Sequence, residues 1–129
     1  MNYLMPTNMN INVSNEFAQM CHYSQQTPEE VLQAFADQVS YPLFFTTKDR
    51  NKKLATYFFI QLVQSPEFKG QINESLEEHY FMQMASAINE SFAQFPGDGE
   101  RAIAIARKIM EQWAKSAIAE RSRYLTDDL

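Results

Sequence analysis

Few side chains in this sequence are suited to bond-making chemistry, and their spacing works against it. The histidines are His22 and His79, and the single cysteine is Cys21. Neither His-x-x-x-His nor Glu-x-x-His occurs, so the helix-borne ligand sets of zinc and di-iron centres are missing. Cys21 and His22 are adjacent, and adjacent residues on a helix diverge, which disfavours a thiolate–imidazole pair. With Phe17 and Met20 nearby at helical spacing, Cys21 reads as a small core residue. Glu77, Glu78 and His79 are consecutive and therefore do not share a helix face. Gly97-Asp98-Gly99 lacks the preceding strand and the glycine spacing of a phosphate-binding loop. The expectation is a protein that is not an enzyme, with no metal, no cofactor and no small-molecule substrate.

Charge is distributed unevenly. The net charge is −5, which predicts no general affinity for nucleic acid. Residues 1 to 47 carry Glu16, Glu29, Glu30 and Asp37 and neither Lys nor Arg. A basic cluster follows, Lys48, Arg50, Lys52 and Lys53, with Asp49 inside it. Glu74, Glu77, Glu78, Glu90, Asp98 and Glu100 make residues 70 to 100 acidic, and Arg101, Arg107, Lys108, Lys115, Arg121 and Arg123 turn the remainder basic. Neighbouring segments of opposite sign can pair within the fold.

The elements that must carry these residues are mostly helical. Asn8-Met9-Asn10-Ile11-Asn12-Val13 alternates polar and apolar residues, which is the strand period, and places the three Asn on one face. No second strand signal lies nearby, so the simplest partner is the same strand of another copy, since buried backbone groups do not stay unpaired. Ser14 caps a short helix reaching about Ser24. Thr27-Pro28-Glu29-Glu30 opens a second, with Val31, Leu32, Phe35 and Val39 on one stripe and a stop at Pro42. Leu43 to Thr47 reads as an apolar link. A third helix, from Asp49 or Asn51 to about Gln64, is apolar on most sides and is expected to be central and buried. A fourth runs from about Ile72 to Phe95 and a fifth from about Glu100 to Tyr124. The turn Pro96-Gly97-Asp98-Gly99 between them predicts an antiparallel helical hairpin. Phe35, Phe58, Leu76, Ile88, Met110 and Trp113 sit on the apolar stripes and are expected in the core.

The fold class expected is thus mostly α: one short N-terminal strand and about five helices. A chain of 129 residues suits a single domain, residues 1–129, with a module at 8–41 and a helical body at 48–129. One cysteine permits no intrachain disulfide. The N-terminus lacks the pattern of a secretory leader, and no apolar run approaches ~18 residues. These features point to a cytoplasmic protein without a membrane segment.

Residues 8 to about 41 resemble the ribbon-helix-helix family of DNA-binding proteins. The resemblance rests on Asn8 to Val13 as the strand, Asn15 to Ser24 as the first helix and Thr27 to Phe35 as the opening of the second. It implies a homodimer through residues 8–39, whose paired strands enter the major groove of double-stranded DNA. Asn8, Asn10 and Asn12 would then face the bases, where Asn can bond adenine bidentately. The helix start at Thr27 would approach a phosphate, and Lys48, Arg50, Lys52 and Lys53 would neutralise further phosphates. Two functions follow: a homodimeric DNA-binding regulator or accessory factor, or a non-catalytic helical interaction module without nucleic acid.

Overall fold

The computed structural model describes residues 9–68 and 73–127, with side chains as far as Arg121. Asn8, Ile72 and the side chain of Arg123 lie outside the described residues. The chain divides into two compact units, Met1–Asp37 and Gln38–Leu129. The described residues form six α-helices: α1 (Asn15–Tyr23), α2 (Pro28–Gln38), α3 (Tyr41–Thr46), α4 (Arg50–Val63), α5 (Glu74–Gln94) and α6 (Gly99–Asp127).

In the N-terminal unit, Ser14 caps α1, its hydroxyl accepting the Phe17 amide at 3.1 Å. The helix ends in two reverse bonds: the Gln26 amide donates to the Cys21 carbonyl and the Gln25 amide to that of His22. This is the Schellman arrangement, which needs a left-handed residue after the cap. Gln25 supplies it at φ 60°, without the help of glycine. Thr27 then starts α2, its hydroxyl accepting the Glu30 amide at 3.1 Å. Cys21 is buried, as its apolar neighbours suggested.

The expected strand does not form. Residues 9 to 13 are neither helix nor strand, and Met9 and Ile11 are 72% and 59% exposed. Alternation specifies a strand only where one face is buried and the backbone finds a ladder partner. Among the described residues neither is present, and Asn at every second position favours no sheet by itself. The fold class is therefore helical throughout the described residues, which overturns the expectation of a two-stranded ribbon built on residues 8 to 13.

In the C-terminal unit a third short helix replaces the expected link. Ser40 accepts the Leu43 amide at 3.1 Å, and Pro42 occupies the first turn of α3, where its missing N–H removes no helical bond. Pro42 thus lies in the start of a helix and does not end one: α2 already stops at Gln38.

The α5–α6 hairpin is present. Asn73 Nδ2 donates to Glu120 Oε1 at 2.7 Å, and the Tyr80 and Ser116 hydroxyls lie 2.8 Å apart. As α5 advances, α6 is met in reverse, which fixes the antiparallel sense. The seam is Met84 and Ile88 against Ala102, Ala106 and Ile109, all buried. Alanine at two successive turns lets α6 approach α5 closely. Its nearest line therefore runs through Ala102, Ala106 and Ile109, while Ile103 and Met110 are half-buried beside it.

One side of the hairpin carries α3 on an aromatic cluster. Tyr41 stacks on Trp113 at 5.6 Å between ring centres and meets Phe81 edge-on at 5.1 Å. Phe81 also meets Trp113 edge-on, at 5.0 Å. Burial pushes the Tyr41 phenol above its ordinary value of 10.0, and the Glu77 carboxylate adds to the shift. Of the expected core residues Ile88 is buried, Phe35, Leu76, Met110 and Trp113 are half-buried, and Phe58 is exposed. No helix among the described residues is long and apolar enough to cross a membrane.

Candidate interaction surface

The helix expected at the centre of the core carries apolar residues on two opposite sides. Asp49 caps α4 by accepting the Asn51 amide at 3.0 Å. At 100° per residue, Ala55, Thr56, Phe59 and Val63 share one side of α4, Leu54, Tyr57 and Phe58 lie on the other, and Leu62 stands at the margin of the packed side, next to Ala55. The first side is covered: Ala55 and Thr56 are buried and Phe59 and Val63 half-buried. Thr56 is held by main-chain bonds, taking the Ser40 amide at 2.8 Å and giving its proton to the Gln38 or Ser40 carbonyl, each at 3.3 Å.

The second side faces outward. Leu54 is 62% exposed, Tyr57 57% and Phe58 57%, and Leu62 at the margin 37%. Large apolar side chains in a row along one helical face form a continuous patch, and patches of this kind mark interaction surfaces more often than scattered apolar residues do. Arg50 lies on the same face, one turn before Leu54. The expectation of a buried helix is corrected here. An all-round apolar helix can be enclosed by its own chain or covered on one side only, and the packing described for α4 is against α3.

The basic cluster sits at the start of α4. Lys48, Arg50 and Lys52 are exposed. Lys53 is half-buried and lies over the Phe44 ring, 5.3 Å from its centre, so its charge is already engaged by an aromatic face. Positive side chains beside a helix N-terminus oppose the macrodipole, so no helix-stabilising role accounts for them. The Asn residues are elsewhere in the chain. Asn10 and Asn12 are exposed in the N-terminal unit, outside any strand, and Thr27 is exposed with its hydroxyl occupied as a helix cap. The structure thus brings Lys48, Arg50, Lys52 and Lys53 together and does not align Asn10 and Asn12 as a reading face.

Sequence reasoning missed Leu54, Tyr57 and Leu62 as surface residues. The one available signal was the run of cations at the N-terminal end of α4, which required that end to meet solvent. Comparison with known protein families, characterised proteins and solved structures gives no match.

Proposed function

We propose that this protein is a non-catalytic helical interaction module whose binding surface is the outward face of α4. One observation carries this reading: Leu54 and Tyr57 are exposed on a helix whose opposite side is already packed. Leaving that much apolar surface in water is unfavourable by roughly 25 cal/mol for each Å² that a partner would cover. The hairpin of α5 and α6, fastened to α3 by stacked rings, provides the rigid support such a surface requires.

The test is the cost of polar substitution in dilute protein. Leu54→Gln and Tyr57→Gln should each change the unfolding free energy by less than ~0.5 kcal/mol, as for surface positions. A drop in stability above ~2 kcal/mol would place the side chain in the protein's own core and refute the reading.

A second reading rests on the exposed cations Lys48, Arg50 and Lys52, which would meet phosphate without any ribbon. Titration with random duplex DNA at ~50 mM salt separates the two. Under the DNA reading, Lys52→Ala lowers affinity for all sequences and reduces the salt slope by about one unit for each phosphate no longer neutralised. Under the module reading no duplex binding is measurable.

A further inference from the structure

The outward face of α4 has a counterpart of opposite charge on α1, and we propose that its occupant is α1 of a second copy of this chain. The proposal rests on the reading of α4 as an interaction surface and names the partner of that surface. On α4, Arg50, Leu54 and Tyr57 follow one another at i, i+4 and i+7, which places them within about 60° of one another around the helix. On α1, Glu16, Met20 and Tyr23 have the same spacing. Each stripe therefore runs from a charge through a long apolar side chain to a tyrosine, over about 10.5 Å of helix axis. All six side chains are exposed, Met20 by 69% and Tyr23 by 89%. On α1, as on α4, the packed side is the opposite one: Cys21 is buried, and Phe17 and Ala18 are half-buried.

Spacing and sign select the arrangement. Packed parallel, the two stripes fall in register, with Glu16 beside Arg50, Met20 beside Leu54 and Tyr23 beside Tyr57. Packed antiparallel, Glu16 and Arg50 would each face a tyrosine and lie on the order of 10 Å apart along the axis. Parallel helices set their dipoles side by side, but the Glu16 carboxylate then also meets the positive end of α4, which offsets that cost. Neither Glu16 nor Arg50 has an ion-pair partner among the described residues. The surrounding charge has the same sense. Residues 9 to 37 carry Glu16, Glu29, Glu30 and Asp37 and neither Lys nor Arg, whereas α4 carries Arg50, Lys52 and Lys53 and no acidic residue. Two copies of a chain that is anionic as a whole thus attract through these two segments. Two α1 helices, or two α4 helices, would meet with like charges instead. The contact is of the heterologous kind, each copy carrying both stripes.

Two measurements on the full chain decide the matter: light scattering or sedimentation over a concentration series, and photochemical labelling of Tyr23 and Tyr57 over the same series. The expected result is reversible association, with both tyrosines labelled in the dilute protein and protected in the concentrated one. Glu16→Arg and Arg50→Glu should each weaken association by about fivefold or more, because like charges then meet where opposite ones did. Mixing the two variants in equal amounts should restore it. Arg at position 16 of one then meets Glu at position 50 of the other, and the unaltered Glu16 and Arg50 pair in the second contact. Such rescue by mixing requires that the contact lie between copies. Circular dichroism of each variant at high dilution checks that the chain still folds. A monomer at every concentration, with Tyr57 labelled throughout, would overturn the second copy as occupant and leave the interaction surface standing. Association that ignores both charge reversals, or that mixing fails to restore, would overturn the pairing of α1 with α4. Absence of Tyr57 labelling even at the highest dilution would overturn both, since the face would then be covered by the chain itself.

Discussion

The hydroxyl of Thr56, in the middle of α4, accepts the amide of Ser40 at 2.8 Å, and Ser40 in turn caps α3. One buried side chain thereby ties two helices at the point where the chain changes direction. Thr56→Val keeps the shape and removes the acceptor. The Ser40 amide is then left without it in a partly buried site, and the expected cost is ~1–3 kcal/mol by chemical denaturation. Thr56→Ser, which keeps the hydroxyl, should cost less. Equal costs for the two would show that packing and not the hydrogen bond matters.

Ser91 presents the opposite case. Its hydroxyl is buried on α5 and finds no hydrogen-bond partner among the described residues. Ser91→Ala removes the unsatisfied group while keeping the small volume. Stability should rise, by about 1 kcal/mol, read as an upward shift in the thermal midpoint. A drop on substitution would mean that the hydroxyl is satisfied in solution.

Gln25 holds a left-handed backbone at φ 60° to close the Schellman turn after α1. For a residue with a Cβ this geometry costs roughly 1–2 kcal/mol, whereas glycine adopts it freely. Gln25→Gly should therefore stabilise the N-terminal unit, by up to about 1 kcal/mol once the added freedom of the unfolded chain is subtracted. Amide exchange across α1 would report it as slower opening.

Tyr41 gives a pH dependence. Its phenol is raised above 10.0, first by burial and then by the Glu77 carboxylate, so the folded protein holds the proton more tightly than the unfolded chain. The stability this represents is complete below the unfolded value and is lost as pH rises through the folded one. Tyr41→Phe should flatten the alkaline fall in stability, at the cost of any hydrogen bond the hydroxyl makes. A wild-type curve with the same alkaline slope as the variant would refute the assignment.

Apart from α3, the helices among the described residues and most of their ends were legible in the order of the residues. Ser14, Thr27, Asp49 and Asn73 each cap a helix with an ordinary side-chain acceptor. Gly97, at φ 80°, and Asp98, whose carboxylate accepts the Arg101 amide at 3.1 Å, set the turn that makes α5 and α6 a hairpin. These are local effects, complete within a few residues, and local chemistry is what a sequence displays directly. The rest depended on packing between distant residues. Alternation from Asn8 to Val13 had the strand period, yet a strand exists only if something else completes its ladder and covers its face, and among the described residues nothing does either. Pro42 read as a stop, although its place in the first turn of α3 depends on Ser40 being held by Thr56, sixteen residues later. The outward face of α4 was the least legible of all. Leu54, Tyr57, Phe58 and Leu62 are as apolar as any core residue. Which side of an apolar helix is covered is set by how many neighbours the fold can bring against it, and the fold brings them to the side of Ala55 and Thr56.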